Sequence, residues 1–210
     1  MVKRWRQLTV WLHILTSVGW MAQAMALCVL LSVGLAGAGT SATAMAQALD
    51  GRLLAPMANG SALTGIVLAA ATPWGFFLNW WVVTKFAVSL IQLYAGIFLL
   101  SPQLAASVTA GPRVTQVVAT ALMASAIAFQ GWLSVAKPWG RIERRRHVRH
   151  QPAPAWVFAV TVLAGLGDLG VALALGHPLP LLSVTVLVVI LARRRRWLGG
   201  RRGPDRPAVA

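Results

Sequence analysis

The sequence predicts an all-α polytopic membrane protein. It reads as a transmembrane bundle of about six helices, a four-helix core followed by a C-terminal hairpin, with both termini on the cytoplasmic side. Three observations lead there. Of 210 residues, 58% are hydrophobic and only 11% are charged, against about 25% charged in an ordinary soluble domain. Apolar runs close to the length that crosses a bilayer recur along the chain. The positive charge falls almost wholly into blocks that this arrangement places on one side of the membrane.

The first run, Leu8 to Gly34, holds no charged residue and exceeds the roughly 20 residues a spanning helix requires. The "KRWR" before it and the "AGAG" after it imitate a secretory signal peptide. A signal's apolar stretch is only about 7–15 residues, so the run reads as an uncleaved first helix. Leu53 to Ala71 is the second run, rich in small residues. Trp80 to Leu100 is the third, charged only at Lys85, and Val114 to Ala136 the fourth. Ala155 to Leu175 is the fifth, interrupted by Asp168. The sixth, Leu179 to Ala192, covers only about 21 Å at 1.5 Å per residue of a hydrocarbon core near 30 Å. The arginines after it extend its reach by snorkelling.

Proline in "ATPWGFFLN", "SPQLAASVTAGP" and "GHPLP" marks breaks between these runs. Residues 1–141 thus form the four-helix core, 142–154 a basic cytoplasmic loop and 155–198 the hairpin. The Gly-, Pro- and Arg-rich tail, 199–210, has the composition of a disordered segment.

The net charge of +15 would suit nucleic acid if it were spread over a surface. It is not. Sixteen of the nineteen Lys and Arg residues lie in segments that an N-in, six-helix topology makes cytoplasmic. The basic balance therefore sets orientation and meets anionic lipid headgroups. The expected partner is membrane lipid and not nucleic acid, and the expected location is a membrane with the basic segments on its cytoplasmic side.

Cys28 is the sole cysteine, which leaves no disulfide framework and no thiolate zinc site. The acidic residues are Asp50, Glu143, Asp168 and Asp205. They fall at four different levels, which nearly excludes carboxylate-pair catalysis. "GLGDLG", Gly165 to Gly170, matches a dinucleotide fingerprint but lies inside an apolar run with no preceding strand. Its glycines read instead as close helix-packing positions. No residue is assigned a catalytic role.

Ionisable residues inside a membrane are costly and mark candidate sites. Three stand out: His13, Lys85 and Asp168. At 1.5 Å per residue, His13 and Lys85 each lie about 8 Å from the cytoplasmic end of their helices, and Gln130 about 9 Å. Thr64 falls near the same level. Asp168 is about 20 Å in, too far for a direct bond to Lys85.

Each residue has two readings. Lys85 either snorkels outward between Trp80 and Trp81 or turns inward to the shared layer. His13 either bonds a neighbouring helix or ligates a metal through neutral imidazole, as in haem. Gln130 either glues two helices or joins that layer. Asp168 is either protonated or paired with Arg52 or Arg113, or it lines a solute path with Gln92. Trp20, seven residues after His13 and on the same face, is placed to wall a flat apolar cofactor.

"WLHILTSVGW" (Trp11–Trp20), "LTG" (Leu63–Gly65), "TPWGFFLNWWVVTKF" (Thr72–Phe86) and "LSVAKPWGR" (Leu133–Arg141) together resemble a bacterial family of predicted integral membrane proteins. Its members show a first-helix histidine, a TPWG-like turn before a Trp- and Lys-bearing helix, and a KP-x-G motif. The resemblance covers Leu8 to Arg141 and implies no established activity.

A remoter likeness is to small four-helix haem-binding membrane proteins, including the protoporphyrinogen oxidase type and copper-resistance D proteins. It implies b-type haem or porphyrin at a His13/Lys85 layer. His13 would be the axial ligand and Lys85 a second ligand or propionate partner. "GWMAQAMALCVLL" lacks the Arg and Tyr that the oxidase type carries after its histidine, which speaks against that activity. The rival expectations are a non-enzymatic membrane subunit or small-solute permease, and a structural protein whose arginine loops hold lipid or a cytoplasmic protein.

Overall fold

The structure is a computed structural model that describes residues 2–72, 75–140, 142, 153–175 and 179–198. Every regular element among them is helical: α1 (Val2–Val33), α2 (Gly39–Leu49), α3 (Ala55–Ala71), α4 (Trp80–Tyr94), α5 (Ser101–Ala110), α6 (Val114–Ala136), α7 (Ala155–Leu175) and α8 (Leu181–Leu198). Four helical runs are long and apolar enough to cross a membrane: Val2–Ala71, Trp80–Ala110, Val114–Ala136 and Ala155–Leu175. Leu181–Arg193 is a shorter apolar helix.

The first run is 70 residues long. Straight, it would reach about 105 Å. Instead it doubles back. Gly37 and Gly39 take φ of 127° and 53°, conformations open to glycine but strained for other residues. The "AGAG" segment is therefore the bend that ends α1. A π-helical segment, Asp50–Leu54, leads from α2 into α3, which then returns antiparallel along α1. Ser17 meets Ser61, and Trp20 packs with Ala58.

The sequence expectation of a break over "SPQLAASVTAGP" is corrected. Ser101–Ala110 is helical, continuing α4 through a π-helical segment at Ala95–Leu100. Pro102 stands in the first turn of α5, directly after the π-helical turn, whose altered bonding lets the run pass a residue that has no amide to donate. The break falls later, at Gly111 with φ 81°.

The helices pack as a ring. α1 lies between α3 and α6, and α4 joins α6 on the far side through side-chain bonds. α7 and α8 sit outside this ring against α3. Leu63, Val67, Val157, Phe158 and Ile190 make the core there. Leu27, Leu31, Ala46 and Leu104 make a second core near the α1–α2 bend. The outside is apolar as well: Ile14, Val29, Ile91, Phe98, Leu122 and Val188 are all more than half exposed. A water-soluble monomer seldom presents apolar surface on that scale, whereas hydrocarbon tolerates it on every lipid-facing helix.

The "KP-x-G" motif is the end of α6. Lys137 adopts the left-handed conformation, φ 45°, and its amide donates to Leu133 at 3.0 Å. Of "TPWG", Pro73 and Trp74 lie outside the described residues. So do Arg141, all of the basic loop except Ile142, Ala153 and Pro154, and the tail from 199 to 210.

Candidate functional site

Two polar seams run through the bundle. The first joins α1 to α3. His13 lies on the stripe Thr9, Trp20, Ala24, Leu27 and Leu31 that α1 buries, because steps of four and seven residues return to one helical face. The residue as a whole is half-buried. Its Nδ1 is 3.1 Å from the Ser61 carbonyl and 3.0 Å from Thr64 Oγ1. Thr64 in turn donates its hydroxyl hydrogen to the Gly60 carbonyl at 2.7 Å.

That network fixes the histidine's tautomer. A carbonyl oxygen only accepts, and the Thr64 hydrogen is already directed to Gly60. Both neighbours of Nδ1 are therefore acceptors, so Nδ1 carries the proton. The neutral ring keeps its lone pair on Nε2. Gly65 makes room for the ring, since a Cβ there would stand 3.0 Å from His13 Cε1. The "LTG" segment thus has a physical role: Thr64 accepts from Nδ1 and Gly65 leaves space.

The second seam joins α4 to α6. Lys85 Nζ donates to Ser134 Oγ at 2.6 Å, and Ser134 donates to the Gln130 carbonyl at 3.0 Å. Ser89 donates to Gln130 Oε1 at 2.7 Å. Gln130 Nε2 donates to Gln92 Oε1, and Gln92 Nε2 donates to the Met123 carbonyl at 2.9 Å. The seam climbs about 10 Å from Lys85 to Gln92. Lys85 therefore turns to α6 rather than out toward headgroups.

The expected shared layer is resolved into parts. His13 and Thr64 are level and bonded. Gln130 is level with Ser89, about one turn beyond Lys85, and Lys85 is level with Ser134. No hydrogen bond joins His13 to Lys85, yet the Lys85 charge acts on His13, so the two seams lie within electrostatic reach of each other at this level. Ser89 and Gln92 went unassigned in this role from sequence. Their signal was spacing: at four and seven residues after Lys85 they share its helical face.

Trp20 is buried against Ala58 and Ile127. It walls a cavity of about 280 Å³ between α1, α3, α6 and the α4–α5 run, and Gln92 lines the same space. His13 does not. Asp50, in the connection between the first two antiparallel segments, stands at this cavity and accepts from Ser101 at 2.5 Å. Burial raises its carboxyl pKa, and the Ser101 bond opposes that rise.

Asp168 pairs with neither Arg52 nor Arg113. Its Oδ1 accepts from the Leu182 amide at 3.0 Å and its Oδ2 from the Ser183 amide at 2.7 Å. These are orphan donors in the first turn of α8, so Asp168 caps that helix from α7 and complements its dipole. Gly167 is close by, and a Cβ there would meet Leu182 at 2.6 Å. The glycine is a packing position, as its sequence context implied.

No group of three or more His, Cys, Asp or Glu residues that could hold a metal ion occurs among the described residues. Comparison with family models, with curated proteins and with solved structures finds no match to this chain. The chemistry is therefore argued from the site alone.

Proposed function

We propose that this is a multi-pass protein of the bacterial cytoplasmic membrane, with six spans and both termini inside, that binds a b-type haem or porphyrin through His13. The observation that carries the reading is the fixed tautomer. A metal-ligating histidine characteristically gives its other ring N–H to a carbonyl or carboxylate. His13 Nδ1–H has the Ser61 carbonyl and Thr64 Oγ1 as partners. The lone pair is left on Nε2 of a ring that stands on the interior stripe, on a residue that is half-buried.

The donor set favours a porphyrin over a bare ion. A bare transition-metal ion needs several side-chain ligands gathered together. A porphyrin iron brings four nitrogens of its own and asks the protein for one or two. His13 suits that smaller demand. Lys85 suits the role of propionate partner better than that of second ligand. Its ammonium has three hydrogens and gives one to Ser134, whereas ligation would require the neutral amine.

A bound haem would supply one-electron chemistry. The chain's own contribution is to orient the His13 ring, to hold the proton on Nδ1 and to place a cation at Lys85. The permease reading loses its main residue, because both Asp168 oxygens serve α8. The reading is tested by absorption spectroscopy of the purified protein, oxidised and reduced, with and without added haem.

A further inference from the structure

The cavity walled by Trp20 is independent of the His13 site, and its polar groups describe an occupant. It is apolar on most sides, with Leu27, Leu54, Leu93 and Leu100 among its walls. Helix bundles pack to high density, and a gap of this size forfeits contacts on every wall. At about 280 Å³ it is near the small end of ligand sites. It suits one alkyl chain or a small ring system rather than a whole two-chain lipid.

Most polar side chains around it are already engaged. Gln92 accepts from Gln130 and donates to the Met123 carbonyl. Gln116 accepts from the Arg113 amide and donates to the Gln103 carbonyl. Thr120 donates back to its own helix, and Ser101 donates to Asp50. Two groups keep capacity. Asn59 makes no side-chain hydrogen bond among the described residues, and Asp50 has no side-chain partner there besides Ser101. Among the described residues, Asp50 is also the only charged one lining the cavity.

We propose that this cavity binds a membrane-soluble amphiphile with an apolar body and a protonated amine head, the head seated at Asp50. A carboxylate with a free oxygen at the end of an apolar cavity selects for a cation that donates hydrogen bonds.

The test uses the full chain in phosphatidylcholine nanodiscs. The probe is dodecylamine carrying a diazirine on its chain, with labelled peptides identified by mass spectrometry. Label is expected on the α3 and α4–α5 walls, with dodecylamine competing at least tenfold better than dodecanol or dodecanoate. Asp50→Asn removes the preference for the amine. Gly96→Leu removes labelling altogether, because Gly96 lines the cavity and a Cβ there meets nothing within 4 Å.

Label placed elsewhere overturns the site. Equal competition by amine and alcohol in the unaltered protein overturns the head group, as simple partitioning of alkyl chains would give that result. Circular dichroism and size-exclusion elution establish that each variant is folded. If Asp50→Asn does not fold, the competitor series and Gly96→Leu still decide. None of these readouts depends on haem.

Discussion

His13 Nδ1 and Thr64 Oγ1 stand 3.0 Å apart, and the Thr64 hydrogen is turned away from that contact to Gly60. The pair makes the histidine a defined tautomer. Thr64→Val leaves Ser61 as the only partner of Nδ1. Haem affinity is expected to fall about tenfold, the lower end of losses when a hydrogen-bond partner of a metal-ligating histidine is removed. Stability should fall by about 1 kcal/mol for the lost hydrogen bond. Haem titration and thermal unfolding in detergent measure the two effects. An affinity equal to that of the unaltered protein would mean that the Thr64 contact does not matter to haem binding.

Asp168 should behave as a structural residue. Asp168→Ala leaves two amides of α8 without their acceptors, at a cost of about 2–3 kcal/mol. Asp168→Asn keeps one acceptor oxygen and should cost less. Both variants should leave any haem spectrum unchanged once folded. A haem band that disappears from folded Asp168→Asn would place this residue in function instead.

Gln92 and Gln130 are predicted to be energetically coupled. A double-mutant cycle with Leu at each position should give an interaction of about 0.5–2 kcal/mol. Additive effects would show that the α4–α6 seam is a set of separate contacts.

Asp50 supplies a pH signature. Burial, the larger cause, raises its pKa from an ordinary 3.8, and Ser101 works against it. The folded protein therefore holds this proton more tightly than the unfolded chain. The stability it contributes is complete below the unfolded pKa and is lost as pH rises through the raised folded value. Melting temperature should decline over that window in the unaltered protein. Asp50→Asn should remove that part of the decline, and an identical pH profile in both would refute the assignment.

Much of the bundle was legible because bilayer-length apolar runs need little tertiary information. The runs at Val114–Ala136 and Ala155–Leu175 match α6 and α7 residue for residue. The level of His13 with Thr64 was also readable, because a helix rises by a fixed amount per residue. What escaped depended on direction and on breaks. Proline at Pro102 signalled an interruption, yet the π-helical segment before it lets the helix continue. Depth placed Lys85 and Gln130 in one layer, but only the packing of α4 on α6 shows Lys85 at Ser134 and Gln130 at Ser89. Asp168 was visible as an anomaly. Its partners are backbone amides of α8, which no residue type announces.

The most direct measurement is the absorption spectrum of the full chain purified from membranes in detergent, recorded oxidised and reduced after haem supplementation. The expected result is a Soret band with a reduced-minus-oxidised change, lost in His13→Ala and retained in Asp168→Asn. Absence of any Soret band, or a band unaltered in His13→Ala, would contradict haem binding through His13.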